Sequence, residues 1–183
     1  MTVTTDLQPA AAGAAPDARP AEDQFIGALL WLTAPAAQPL VNAVPTEALW
    51  HPLTRWVYEL IADLVAAGRN PTPIAVLTAG MSQPAHQALH PTQPPGPRMR
   101  HELALYLFDA YSHVVEPRVA AGGYAADVLA QAYRRAYAAF GTRMHALATG
   151  GADIADMTAN FAATATQLAD LTRRTTEAER TLA

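Results

Sequence analysis

Lysine and cysteine are both absent from this chain of 183 residues, and each absence excludes a class of site. All 12 basic residues are arginine. A phosphate-binding loop of the GxxxxGK[ST] type therefore cannot form, because it needs lysine on the β- and γ-phosphates. Without cysteine, neither a disulfide framework nor a zinc site with cysteine ligands is possible. The composition thus excludes a nucleotide-driven motor of that type and a disulfide-stabilised scaffold.

Serine is rare, the chain has no net positive charge, and long apolar runs are missing as well. Serine occurs only at Ser82 and Ser112, and neither lies in a G-x-S-x-G turn. The net charge of −4 argues against strong DNA binding, which requires a basic surface. The longest strongly apolar run, Phe25 to Leu32, is far shorter than the ~20 residues that span a bilayer. The amino-terminus does not read as a secretory signal. We therefore expect a cytoplasmic protein without membrane contact.

The six histidines do not form a metal or catalytic pattern. His86 and His90 have i, i+4 spacing, but they lie in a proline-rich segment with no acidic residue nearby. His101 and Glu102 are neighbours, which point to different faces of a predicted helix. His51 is interpreted as a residue at a helix start. We predict no catalytic residue, no bound metal and no cofactor.

The spacing of apolar residues predicts an all-α fold, and no segment has the alternation typical of a strand. Residues 1–20 are rich in Ala, Pro and Thr and are predicted to be disordered. Residues 21–120 are predicted to form a bundle of short helices, which begins at Glu22 and resumes at Met99. A proline-rich loop at 81–98 interrupts this bundle.

Proline, glycine and threonine mark the ends of the predicted bundle helices. Pro52 is expected in the first turn of one helix, and Gly68 is expected just past its end. Thr72 is expected to cap the following helix. Gly122 and Gly123 are predicted to close the last part of the bundle.

Residues 121–178 are predicted to form a long antiparallel helical hairpin, and 179–183 a tail. The first helix runs from Tyr124 to about Ala148, a Gly150-Gly151 turn follows, and the second helix ends at about Thr175. Heptad spacing predicts an apolar seam along each helix. The seam residues are Tyr133, Tyr137, Phe140, Met144 and Leu147 on the first helix, and Ile154, Met157, Phe161, Thr164, Leu168 and Leu171 on the second.

A further stripe on the second hairpin helix consists of small residues at heptad spacing. It comprises Ala155, Ala159, Ala162, Thr166 and Ala169. One hairpin cannot cover the seam and this stripe at once, and small side chains allow another helix to approach closely. We therefore expect self-association through the stripe, with Phe161 and Leu168 beside it. Packing of the stripe within the chain is the alternative.

A cluster of tyrosine and arginine on the first hairpin helix is a candidate partner-binding surface. It comprises Tyr133, Arg134, Arg135 and Tyr137, and both residue types are enriched at interface hot spots. The alternative is that the tyrosines pack in the seam while the arginines are solvated. Arg173 and Arg174 are interpreted as cations that stabilise the end of their own helix.

The three tryptophans, Trp31, Trp50 and Trp56, all fall in the predicted bundle. We expect them to pack in its core. A binding groove built from them is the alternative, although no polar residues converge on them in the sequence.

Several short motifs, taken in order, resemble the N-terminal collar domain of the DnaB-type replicative DNA helicase family. The resemblance covers roughly residues 21–178. Its motifs are Glu22 followed by Gly27-Ala28-Leu29-Leu30, Leu49-Trp50-His51 before Trp56-Val57-Tyr58-Glu59-Leu60-Ile61, then Gly68-Arg69, and Tyr124-Ala125-Ala126-Asp127-Val128 at the hairpin start. Thr72 stands where the family commonly has Asp, and the proline-rich loop replaces a part that usually contains a Gly-Gly turn.

The resemblance implies a domain that does no chemistry itself, organises a ring and offers a surface to primase and other replisome partners. The family's motor and its ATPase residues have no counterpart in this chain. Three interpretations stay open. The first is a complete collar-like protein that binds primase or the replicative helicase, favoured by Met1 and the polar end at 177–183. The others are the separated N-terminal domain of a full helicase, and a helical protein that binds a small ligand.

Overall fold

The computed structural model describes residues 19–83 and 95–180, and every regular element within these ranges is helical. The all-α prediction is therefore confirmed. Several predictions concern residues outside the described ranges: the disorder of residues 1–18, the histidines His86 and His90, and most of the proline-rich loop.

Short helices form a bundle, and two long helices form a hairpin. In chain order the elements are α1 (Arg19–Trp31), α2 (Ala34–Ala43), a 3₁₀ turn (Thr46–Ala48), α3 (Pro52–Ala66), α4 (Pro73–Ser82), α5 (Pro97–His113), α6 (Ala121–Thr149) and α7 (Ile154–Arg180).

The helix ends that local sequence signals predict are confirmed. Pro52 is the first residue of α3, where its missing N–H costs no hydrogen bond. Gly68 has φ +68°, and the Arg69 N–H donates to the Leu64 carbonyl at 2.8 Å, which closes the helix end. The Thr72 Oγ1 accepts from the Ala75 N–H at 3.3 Å and caps α4. These ends are set by residues adjacent in sequence.

Other boundaries differ from the predictions. The first helix begins at Arg19, so Arg19 and Pro20 belong to α1 and not to a disordered tail. The predicted loop at 81–98 is narrower, because α4 continues to Ser82 and α5 begins at Pro97, which occupies the favoured first position of a helix.

The hairpin helices are also longer than predicted. Helix α6 begins at Ala121 and includes Gly122 and Gly123, which were expected to end the bundle. Helix α7 continues to Arg180, well past Thr175. The reason for the second difference is tertiary, because Ala178 is fully buried and holds the last turns of α7 in contact with the rest of the chain.

The core lies in the bundle and in the first part of α6. Its largest fully buried apolar side chains include Tyr58, Phe25, Ile26, Leu29, Leu40, Leu49, Ile61, Leu103 and Leu129. Gly27 sits where α1 crosses α5. A methyl group there would overlap the Ala110 carbonyl oxygen and lie 2.8 Å from the Val114 Cβ. Glycine is therefore required for this close crossing.

The hairpin buries far less. Only Thr164, Leu171 and Ala178 are buried on α7. The seam prediction is right for Thr164 and Leu171 and wrong for Ile154, which is 78% exposed, while Phe161 is 59% exposed but contacts Phe140 of α6. Ile154 is the first residue of α7, beside the turn, where little of α6 can cover it.

Two seam residues of α6 are exposed as well, namely Tyr137 (60%) and Met144 (47%). The rings of Phe140 and Phe161 meet with 6.0 Å between their centroids, at the edge of the seam. The hairpin turn itself is as expected. Gly151 has φ +72°, and the Asp153 carboxylate accepts from the Asp156 N–H at 2.8 Å at the start of α7.

Candidate interaction surfaces and the Glu22 cluster

A buried carboxylate holds the chain segment just before α3 by hydrogen bonds. Glu22, on α1, is only 1% exposed. Its Oε1 accepts from the Trp50 N–H at 2.6 Å, and its Oε2 accepts from the His51 N–H at 3.2 Å. Both amides lie just before α3, where a negative charge is favourable. The glutamate and the Trp-His-Pro segment are thus one structural unit, although 28 residues separate Glu22 from Trp50.

Two arginines complete this group, which we call the Glu22 cluster (Glu22, Trp50, Arg55 and Arg135). The Arg55 Nε and Nη2 donate to the Leu49 carbonyl at 3.0 and 2.6 Å. Arg135, on α6, donates through Nη2 to the Ala48 carbonyl, and its guanidinium lies 5.7 Å from the centroid of the Trp50 ring. The cluster therefore ties α6 to the chain segment between α2 and α3.

Arg135 carries its charge into a partly buried environment. Burial lowers the pKa of Arg135 from its usual value, while Glu22 raises it and Arg55 lowers it. Arginine stays protonated under such shifts. Its contact with the Ala48 carbonyl is therefore a hydrogen bond from a charged donor, which is stronger than a neutral one.

The four predicted partner-binding residues occupy different environments. Arg135 makes a structural contact with the Ala48 carbonyl and the Trp50 ring, which the interpretation of it as a solvated arginine did not include. Arg134 is exposed, and Tyr137 is 60% exposed. Tyr133 is half-buried and stacks on Tyr137 with 6.4 Å between ring centroids. Partner binding by the two arginines and the two tyrosines stays a prediction.

The small-residue stripe of α7 is exposed along its length. Ala155, Ala159, Ala162, Thr166 and Ala169 are all exposed, so no described part of the chain covers them. At helical spacing this stripe lies on the opposite side of α7 from the buried Thr164 and Leu171. Of the two residues expected beside it, Phe161 is exposed and Leu168 is half-buried. Self-association through this face stays a prediction.

The tryptophans divide between core and surface. Trp56 is 3% exposed, so the core prediction is confirmed for it. The prediction is wrong for Trp50, which is 66% exposed. Trp31 lies at the surface and stacks on Tyr111 with 4.3 Å between centroids and 3° between ring planes. Its Nε1 also donates to the Tyr111 carbonyl at 3.1 Å, which fixes the pair.

Arg174 is a tertiary contact that the sequence interpretation missed. Its Nη1 donates to the carbonyls of Asn42 and Ala43, each at 3.2 Å, at the end of α2. Its Nε bonds the Asp170 carboxylate at 2.6 Å. Arg174 therefore satisfies the last carbonyls of another helix, and not those of its own helix as predicted, because α7 continues beyond it. The sequence would have indicated this contact only if the continuation of α7 past Arg174 had been predicted.

Burial of their hydroxyl groups keeps two tyrosines neutral. Burial raises the pKa of Tyr58 and of Tyr106 above the usual value, so both stay protonated at physiological pH. The Tyr58 hydroxyl donates to the Val44 carbonyl at 2.6 Å and thereby helps to close α2.

Glu102 pairs with the Arg98 Nε at 2.9 Å. Within the described residues, no group of three or more acidic or histidine side chains is placed to hold a metal ion.

Comparisons with models of protein families, with curated proteins and with solved structures find no match to this chain. Among the described helices, none combines the length and the apolar character that crossing a membrane requires.

Proposed function

We propose that this chain is a non-catalytic interaction module of the replisome, which self-associates through the α6–α7 hairpin and binds primase or the replicative helicase. The observation that carries the proposal is the exposed apolar surface of the hairpin. Tyr137, Met144, Ile154 and Phe161 are all exposed, and the stripe on the far side of α7 is uncovered. Large apolar groups grouped on one long element are typical of protein interfaces.

The Glu22 cluster supports the resemblance to the DnaB-type collar. Two of the quoted motifs, the glutamate before Gly27-Ala28-Leu29-Leu30 and the Trp50-His51 pair, contact each other through the Glu22 carboxylate. Gly27 in the first motif is required where α1 crosses α5. Motifs that meet in space and carry out a packing task are stronger support for the resemblance than isolated sequence matches.

Self-association is tested by sedimentation velocity at tens of micromolar. We expect the wild-type chain to form at least a dimer. Ala162→Glu places an unpaired charge in the proposed contact, where its burial is strongly unfavourable. This variant should sediment as a monomer with unchanged helix content. Gln167→Glu adds the same charge at an exposed position of α7 outside the stripe and should leave the assembly intact. A wild-type chain that is monomeric at these concentrations contradicts this part of the proposal.

Partner binding is tested with the C-terminal domain of primase and with the replicative helicase. We expect one of them to bind, and we expect Arg134→Ala combined with Tyr137→Ala to weaken that binding. Loss of true hot-spot residues costs about 2 kcal/mol or more, which corresponds to roughly a thirtyfold loss of affinity. Arg143→Ala, at another exposed arginine of α6, is the matched control. Equal affinity of all variants for both partners returns Arg134 and Tyr137 to ordinary surface positions.

A further inference from the structure

The two seam rows along each hairpin helix differ in burial. The inner rows are half-buried or buried, and they comprise Tyr133, Phe140 and Leu147 on α6, and Met157, Thr164 and Leu171 on α7. The outer rows are exposed except at the half-buried Leu168, and they comprise Tyr137 and Met144 on α6, and Ile154, Phe161 and Leu168 on α7. The hairpin therefore covers one row of each seam and leaves the other row open to solvent.

Both outer rows lie on the same side of the hairpin. On each helix an outer residue stands three positions before an inner one, as Met144 does before Leu147 and Phe161 does before Thr164. Two antiparallel helices are related by a two-fold axis perpendicular to their common plane. Equivalent heptad positions of α6 and α7 therefore face the same side.

The bundle contacts the hairpin from the opposite side. Ala125 and Ala132 are buried on α6, and Arg174 of α7 donates to the carbonyls of Asn42 and Ala43. At 3.6 residues per turn, these three hairpin residues point away from the outer rows. The outer face, our name for the surface of the outer rows and the small side chains beside them, is thus left uncovered by the described part of the chain.

The outer face carries no charged side chain around the hairpin turn. Residues 157–169 of α7 include no charged residue, and residues 136–149 of α6 include one, Arg143. Helical spacing places Arg143 on the side of α6 away from the outer face. A partner that fits this face is therefore uncharged and apolar, with rows at the same heptad spacing. The hairpin of a second copy of this chain has both properties.

Gly141 gives the outer face a recess. It stands four positions after Tyr137 and three before Met144, which places it on this face of α6. A methyl group at Gly141 would meet no atom of another element within 4 Å, so packing within one chain does not require glycine there. Glycine inside a helix is destabilising relative to alanine, and the close approach of another backbone is a role that accounts for it.

The exposed apolar surface is large enough for a stable contact. Tyr137, Met144, Ile154 and Phe161 are 60%, 47%, 78% and 59% exposed. At about 200 Å² for each side chain of this size, they expose roughly 500 Å² together. The neighbouring small residues extend this patch toward the ~800 Å² that each partner of a standard interface buries.

We propose that the outer face packs against the outer face of a second copy around a two-fold axis, so that two hairpins form a four-helix bundle. This arrangement rests on the self-association proposed above and identifies its contact surface. Each helix then uses one row of its seam within its own hairpin and the other row against the second hairpin. Large side chains of one copy insert beside Gly141, Ala162 and Ala165 of the other. Both helices form the contact, and not the stripe of α7 alone.

A matched pair of charge substitutions on α6 locates the contact. Light scattering should give the wild-type chain a mass of two copies. Met144→Glu should raise the dissociation constant of this dimer at least tenfold in sedimentation velocity, because it buries an unpaired charge in the outer face. Ala139→Glu adds the same charge at an exposed position on the other side of α6 and should change the constant less than twofold. Circular dichroism checks that both variants keep their helix content.

Gly141→Leu separates close packing from unspecific apolar contact. The space around Gly141 is open within one chain, so the isolated chain tolerates the added side chain. In the four-helix bundle the added side chain occupies the space of a residue from the second copy and should weaken the dimer at least tenfold. An unchanged or tighter dimer overturns the proposal, because unspecific contact would gain from the added apolar surface.

The remaining outcomes separate this contact from self-association in general. If Ala162→Glu dissociates the dimer while Met144→Glu leaves it intact, the stripe of α7 forms the contact alone. Self-association then stands, and the four-helix bundle is wrong. If the dimer survives Met144→Glu but binding to the primase domain or the helicase weakens, the outer face belongs to another protein and the bundle is wrong as well. A wild-type chain that stays monomeric at tens of micromolar contradicts both proposals.

Discussion

The bundle and the hairpin are stabilised by different means, although both are built from helices. The bundle encloses large apolar side chains such as Phe25, Leu29 and Leu49, each fully buried. Full burial of one such side chain contributes about 1.5–3 kcal/mol. The part of the hairpin around its turn, residues 133–163, buries none, and its alanine-rich helices rely on high helix propensity. The difference indicates that the part of the hairpin around its turn is a surface element, while the bundle, the first part of α6 and the last part of α7 share one core.

The hairpin is attached to the bundle by polar as well as apolar contacts. Each of its helices contributes one arginine, Arg135 from α6 and Arg174 from α7. Both donate to backbone carbonyls in the segment 42–48, which runs from the end of α2 to the end of the 3₁₀ turn. Since these carbonyls lack helical partners, the arginines supply hydrogen-bond donors that the bundle does not provide.

Truncation of one large side chain in each region tests this difference most directly. Leu29→Ala should lower the free energy of unfolding by about 2–5 kcal/mol, because it removes buried methyl groups and leaves a cavity. Phe161→Ala should lower it by less than about 1 kcal/mol, since that ring is mostly exposed. Urea titration below the association concentration measures both. Similar losses would mean that the hairpin is part of the cooperative core.

Glu22→Ala should cost about 3 kcal/mol, because it leaves two amides near α3 without an acceptor and removes the carboxylate that faces Arg135. Glu22→Gln keeps one acceptor oxygen and should cost less than Glu22→Ala. The same urea titration measures both variants. Wild-type stability in the alanine variant would exclude a structural role for the cluster.

Neighbouring arginines on α6 give a sharper comparison. Arg135→Ala should cost about 1–2 kcal/mol, because it removes a charged hydrogen bond and the contact with the Trp50 ring. Arg134→Ala should cost less than about 0.5 kcal/mol, as expected for an exposed side chain. Thermal unfolding followed by circular dichroism distinguishes them. A larger loss for Arg134→Ala than for Arg135→Ala would mean that Arg135 does not stabilise the contact with the bundle.

The smallest expected effect concerns α7. Arg174→Ala should cost about 1 kcal/mol, since the carbonyls of Asn42 and Ala43 lose a donor but stay close to water. Arg173→Ala, which removes only exposed ion pairs, should leave the stability unchanged. Hydrogen exchange at the end of α7 should quicken only in the Arg174 variant. Equal protection of both variants would make the contact with α2 dispensable.

Part of the candidate surface could be predicted from the sequence. The stripe on α7 and the exposure of Arg134 follow from helical spacing, because a helix repeats its faces at a fixed period. The environment of Arg135 does not follow from spacing. Its carbonyl partner Ala48 lies 87 residues earlier in the chain, and nothing local to either residue signals the pairing. The same holds for Trp50, which is 66% exposed and whose ring lies 5.7 Å from the Arg135 guanidinium of α6.

The sequence by itself determined the helical class, the absence of a lysine-dependent nucleotide site and the capped ends at Pro52, Gly68 and Thr72. These properties depend on composition or on residues within one helical turn of each other. The tertiary structure alone decided that Glu22 closes the entrance to α3, that Arg135 and Arg174 attach the hairpin, and that α7 continues to Arg180. Those outcomes depend on which carbonyls, amides and apolar faces come into contact after folding. No short-range sequence pattern encodes such contacts, because the partners are far apart in the chain.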